Sequence, residues 1–124
     1  MSSINSISPD KLLRLIGLAH GPVLIDVRGQ DAHVADPRFI PAALLRRPAE
    51  VAEWGKEFSG KACVVVDQNG NGDGEGVAAW LRHAGAISAD VLAGGHVAWA
   101  KSGGPLIPAR NVPPRDEQGR TIWV

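Results

Sequence analysis

The run Cys63-Val64-Val65-Val66 leads straight into Asp67-Gln68-Asn69-Gly70-Asn71-Gly72-Asp73-Gly74-Glu75-Gly76, and then into Val77-Ala78-Ala79-Trp80-Leu81-Arg82. A short unbroken apolar run suits a strand covered on both faces. The glycines give the backbone the freedom a tight loop needs. The apolar spacing after Gly76 predicts an amphipathic helix. Strand, glycine-rich loop and helix in that order form the repeating joint of an open α/β sheet. Sites gather at the carboxyl ends of such strands because loop amides and the helix N-terminus favour anions. Here the loop carries three carboxylates, Asp67, Asp73 and Glu75, and no Lys, Arg, His, Ser or Cys. The frame is that of an anion-handling site, but the side chains that would draw in or transform an anion are missing.

The rest of the chain repeats the alternation. Ser8-Pro9-Asp10 is a helix start, with Ser as N-cap, Pro at the first helical position and an acid in the first turn. Leu12, Leu13, Leu15 and Ile16 give this helix its apolar face, and Gly17 or Gly21 ends it. Residues 22–27 form a second apolar run, a strand. Loop residues with Asp36-Pro37 and Ile40-Pro41 follow, then a helix over 48–54. A strand over 61–66, a helix over 76–83, a strand over 89–92 and a short helix over 96–101 complete the pattern. Strands alternating with helices imply right-handed crossovers and a mostly parallel sheet. Beyond Gly103-Gly104 the texture changes: Pro105, Pro108, Pro113 and Pro114 recur without helical periodicity, and Thr121-Ile122-Trp123-Val124 is an apolar end. The expected division is one domain over 1–107 and an extended tail or linker over 108–124.

Charge excludes several functions. Lys plus Arg equals Asp plus Glu at 13 each, so there is no basic excess for nucleic acid or an anionic membrane. Two isolated tryptophans, Trp80 and Trp99, read as core anchors rather than a base-stacking platform. No apolar stretch approaches the ~20 residues of a membrane span. The first residues show no basic flank or apolar signal core, so a cytoplasmic, bacterial-type protein is expected. The single cysteine, Cys63, excludes an internal disulfide and a cysteine-rich zinc site, and at the head of an apolar strand it reads as a small buried hydrophobe. His83 and His96 follow element ends on the side of the loop and read as surface polar residues.

Three segments together resemble the rhodanese superfamily. Leu24-Ile25-Asp26-Val27-Arg28 is similar to its first-strand signature. Phe39-Ile40-Pro41-Ala42-Ala43 is similar to the family's His-Ile-Pro-Gly-Ala turn, with Phe for His and Ala for Gly. Leu92-Ala93-Gly94-Gly95-His96-Val97-Ala98-Trp99 matches Leu-x-Gly-Gly-x-x-Ala-Trp. The loop and helix resemble a bacterial subgroup whose loop reads Cys-x-x-Gly-x-x-x-Ser-Gln-Gly and which often precedes a chromate-resistance-type domain. The segment from Ala109 to Val124 is similar to that junction. The resemblance implies an α/β fold with a central, mostly parallel sheet of four or five strands and helices on both faces. It also places Asp67 where the family has its catalytic cysteine, and Gly74-Glu75 where it has Ser-Gln.

A rhodanese loop stabilises a thiolate that carries sulfur as a persulfide, and a carboxylate cannot form one. The resemblance therefore implies a degenerate loop, Asp67, Gln68, Asn69, Gly70, Asn71, Gly72, Asp73 and Gly74, with no catalytic residue and no cofactor. Asp26 and Arg28 are expected to support it, Arg28 being the one cation within reach. Three readings of the loop stay open. Asp67 caps its own loop; or Asp67, Asn69, Asn71, Asp73 and Glu75 weakly bind Ca²⁺ or Mg²⁺, as alternate oxygens of a calcium loop that lacks its twelfth-position Glu, replaced here by Ala78; or Asp67 is a phosphoryl-transfer nucleophile. The expected function is a non-catalytic binding or regulatory module with a protein partner or downstream domain, with an altered enzyme using the same loop as the alternative.

Overall fold

The computed structural model describes residues 5–16 and 18–108. In chain order the elements are β1 (Ser6–Ile7), α1 (Pro9–Leu15), β2 (Val23–Asp26), α2 (Gln30–Ala35), β3 (Arg38–Phe39), β4 (Leu44–Leu45), α3 (Val51–Trp54), β5 (Ala62–Val66), α4 (Asp73–His83), β6 (Ser88–Leu92), α5 (Gly95–Lys101) and β7 (Ile107–Pro108). Short 3-10 turns at Pro48–Glu50 and Gly55–Phe58 flank α3, so the helix expected over 48–54 is a composite. Five strands form one parallel sheet in the order β1-β6-β5-β2-β4. A separate antiparallel pair joins β3 to β7.

The central strands carry apolar side chains on both faces because both faces are covered. Cys63 and Val65 of β5 point to one side, with Trp54, Phe58, Val77, Ala78 and Leu81 from the α3 region and α4. Val64 and Val66 point to the other, with Leu12 of α1, Trp99 of α5 and Ile40. This alternation from one strand into two cores is the period-2 geometry of a pleated strand. Asp26 lies opposite Val66, so the loops after β2 and β5 leave the same sheet edge side by side.

Local chemistry fixes several joints. Ser8 caps α1, its Oγ accepting the Lys11 N–H at 3.2 Å. The helix ends at Leu15 with Ile16 extended; Gly17 lies outside the described residues. Ile40-Pro41-Ala42-Ala43 closes as a turn, the Ala43 N–H donating to Ile40 O at 3.0 Å. Ala42 occupies the left-handed region at φ 70°, the position a Pro-Gly turn gives to glycine.

The structure departs from the sequence reading in three respects. The stretch before Asp36-Pro37 contains α2, which has no buried residues and therefore leaves no apolar stripe in the sequence. The two-residue strands β1, β3, β4 and β7 are too short for any alternation to register. Trp80 is not a core anchor: it is 43% exposed, because Val77, Ala78 and Leu81 form the buried stripe of α4 and residue 80 falls beside it. Trp99 is fully buried, and among the described residues Trp54 is the other core tryptophan. Residues 109–124, with the expected tail and its apolar end, lie outside the described residues.

Candidate functional site

Asp67 is the first residue beyond β5, at the carboxyl edge of the sheet, and its side chain is buried. The carboxylate turns back into its own loop. Oδ1 accepts from the Gly70 N–H, while Oδ2 accepts from Gly72 N–H at 3.1 Å and Gly74 N–H at 3.0 Å. Gly72 is the N-cap residue of α4 and has no side chain to cap with, so Asp67 supplies the cap from upstream. That explains why α4 begins at Asp73, three residues before the helix expected over 76–83. Asp73 and Glu75 lie in its first turn, where the helix dipole favours negative charge.

The loop is held from behind by α5. The His96 N–H donates to Asp67 O at 2.8 Å and the Val97 N–H to Gln68 O at 3.1 Å. This approach accounts for the Gly94-Gly95 pair. A Cβ at Gly95 would sit 2.6 Å from Asp67 O and from Gln68 C and O, and its φ is +64°. A Cβ at Gly74 would likewise fall 2.7 Å from Asp67 Oδ2. The glycines let backbone close on backbone and on the carboxylate.

Asn69, Asn71, Asp73 and Glu75 are exposed, and among the described residues no group of three or more His, Cys, Asp or Glu side chains is arranged to hold a metal ion. Cys63 is 1% exposed, with Sγ 3.8 Å from Lys61 O. Burial pushes its thiol up to about 11, so it is neither a thiolate at neutral pH nor near the loop.

Beside the loop lies a charged cluster drawn from β2, α2, β3 and α5. Arg28 Nε bonds both Asp26 oxygens, at 3.3 and 3.1 Å, and the Arg28 N–H donates to Asp26 Oδ1 at 2.9 Å. Its Nη1 donates to Asp36 O at 3.0 Å and its Nη2 to Arg38 O at 2.8 Å. His33 Nδ1, 3.1 Å from Arg28 Nη2, must accept from that guanidinium, which sets the neutral tautomer with the proton on Nε2. Asp36 is gripped bidentately by Arg38 at 2.7 and 2.9 Å and receives the His96 Nε2–H at 2.9 Å. The Arg38 hydrogen bonds, with help from His96, hold the Asp36 carboxyl far below its usual range despite partial desolvation. Burial holds His33 and His96 below their ordinary value, outweighing the carboxylates beside them. His96 is therefore no surface residue: it is 1% exposed, facing a partner 60 positions away in the chain. Sequence spacing gives no signal of such a pair. Arg28 and Gly29 line a shared groove of about 140 Å³ with Asp67 and the loop residues that follow it, but the arginine's donors are committed to Asp26, His33 and backbone carbonyls.

Comparison with solved structures decides the fold. A rhodanese-related protein from Thermoplasma volcanium superposes with a TM-score of 0.70 at 21% identity, over 83% of this chain and 97% of that one. The fold is rhodanese-like. A rhodanese-like domain protein from Staphylococcus aureus gives a TM-score of 0.65 at 24% identity, covering 77% of this chain and 91% of that one. The rhodanese-like fold also superposes on part of a thiosulfate sulfurtransferase from Pseudomonas aeruginosa, with a TM-score of 0.71 at 18% identity over 84% of this chain and 19% of that one. No family model matches the sequence, and no curated protein matches it significantly. Among the described residues no helix is long and apolar enough to cross a membrane.

Proposed function

We propose that this rhodanese-like domain is a non-catalytic binding or regulatory module, in which Asp67 stands where a sulfurtransferase has its cysteine. The observation that carries this reading is the arrangement of the three loop amides, from Gly70, Gly72 and Gly74, around the Asp67 carboxylate. In a working rhodanese such amides stabilise a thiolate, which attacks the sulfane sulfur of thiosulfate, releases sulfite and becomes a persulfide. A nucleophile then takes that sulfur and regenerates the thiolate. A carboxylate satisfies the amides' demand for negative charge but carries no sulfur. Cys63 does not substitute for the missing thiol, because it is buried within β5 on the core side. The acidic pair Asp73 and Glu75 at the loop's rim further disfavours thiosulfate, phosphate and similar dianions. With the loop closed on itself, the partner of such a module is another protein or a downstream domain.

Incubation with thiosulfate and cyanide tests the reading. No thiocyanate is expected above a heat-killed control. Turnover that vanishes in Cys63→Ala refutes the proposal. Asp67→Cys is expected to gain measurable turnover, because the amide cradle stays in place; Asp73 and Glu75 keep that gain small.

A further inference from the structure

A second, larger cavity of about 500 Å³ opens on the other side of Arg28 and Gly29, between α2 and the segment after β4. No loop residue from 67 to 74 lines it, so it stands independently of the sulfur-transfer question. Its size is that of small-molecule sites. The walls are largely apolar, with Phe39, Leu45 and Pro48 prominent, and three arginines, Arg28, Arg46 and Arg47, border it without a single Asp or Glu in the lining.

We infer that this cavity binds a small monoanionic molecule with an apolar body, of the aryl- or acyl-carboxylate class, its carboxylate directed at the arginines. Each arginine already has a carboxylate neighbour, Asp26, Glu57 and Glu50 in turn, so the site takes no more than one further negative charge. Arg28 is engaged with Asp26 and backbone carbonyls. Arg46 is 3% exposed in its side chain, donates to Leu45 O at 3.0 Å and reaches Glu57 at only 3.5 Å. Arg47 has a 71%-exposed side chain and touches Glu50 at 3.3 Å, an exposed pair that water and salt weaken. A ligand carboxylate takes the place of Glu50 there, gripped in bidentate fashion by the planar guanidinium. The apolar walls take the body of the molecule, which a compact inorganic anion lacks.

The probe is sodium octanoate, titrated into the full chain and followed by backbone amide chemical shifts, with n-octanol as the uncharged comparison. Saturable shifts are expected at Gly29, Gln30 and Leu45 below millimolar octanoate, with octanol at least tenfold weaker. Arg47→Glu is expected to weaken octanoate at least tenfold without changing the stability midpoint appreciably. Leu45→Trp, which fills the cavity, is expected to abolish binding; if that variant does not fold, Arg47→Glu decides. The inference is overturned if octanoate gives no saturable response. It is equally overturned if octanol binds as well, if the shifts map to residues 67–74, or if Arg47→Glu leaves affinity unchanged. Octanoate displaced by concentration-dependent dimerisation reassigns the cavity to a second copy and also overturns it.

Discussion

If the Asp67 carboxylate is the shared cap of loop and helix, removing it costs stability in a way that depends on Gly74. Asp67→Ala strips the acceptor from three amides. Hydrogen bonds to a charged group contribute ~1.5–3 kcal/mol each, but the groove beside the loop lets water re-solvate part of the set, so a net loss of ~2–4 kcal/mol is expected. At a urea m-value of ~1–3 kcal/mol/M, that lowers the unfolding midpoint by roughly 1–2 M. Asp67→Asn keeps one acceptor oxygen but turns an amide donor toward the remaining N–H groups, and falls in between. Gly74→Ala places a methyl 2.7 Å from Asp67 Oδ2 and 3.2 Å from Val91 Cγ1. Overpacking of this kind costs ~1–3 kcal/mol, offset by ~0.5–1 kcal/mol from exchanging glycine for alanine in a helix. With Ala at 67 the obstruction is gone and most of that cost disappears. The double variant is therefore expected to be more stable than the sum of the singles by at least ~1 kcal/mol. Urea unfolding of all four proteins, read by circular dichroism, measures the coupling. Additivity within ~0.5 kcal/mol refutes the idea that the carboxylate lies over Gly74.

Four further outcomes follow from the same structure. Ala42→Gly relieves a non-glycine residue at φ 70°, and relief of ~1–2 kcal/mol less ~0.5–1 kcal/mol of unfolded-state entropy raises stability by roughly 0.5–1 kcal/mol; a lowered melting temperature contradicts the turn geometry. Cys63 is expected to resist a thiol reagent in the native protein and to react only along the urea transition measured by circular dichroism; fast native labelling contradicts its burial. His33 and His96 are held below 6.5, so below that pH the unfolded chain takes up protons the folded one refuses, and stability falls from pH 7 toward 5.5. Urea midpoints across that window should show a smaller slope for His96→Gln, and an unchanged slope rejects the assignment. The depressed Asp36 adds stability that is lost only as pH falls below 3.8. Millimolar Ca²⁺ is expected to leave the melting temperature where NaCl of matched ionic strength leaves it; binding at ten times Kd would add ~1.4 kcal/mol, and a shift of that size abolished by Asp67→Asn with Asp73→Asn establishes a cation site instead.

The sequence by itself determined the α/β class, the parallel core strands and the joint that sets the loop at a sheet edge. Those features rest on signals between near neighbours: an apolar run over 63–66, a Ser-Pro-Asp cap at 8–10, and the apolar spacing after Gly76. The turn at 40–43 was legible only through its resemblance to a family motif, since Ala42 at φ 70° disfavours the conformation it holds. Trp80 was misplaced since one helical position separates a buried stripe from its exposed flank, and composition alone does not set that rotation. The short strands escaped because two residues hold no period; their partners, lying tens of residues away, define them. Asp67 turning its carboxylate onto amides three to seven residues ahead was one of three readings the sequence left open, whereas His96 meeting Asp36 and the arginines rimming an apolar cavity were decided only by tertiary structure. Each depends on where separate elements dock, and docking is settled by burial of two apolar faces at once rather than by any local pattern.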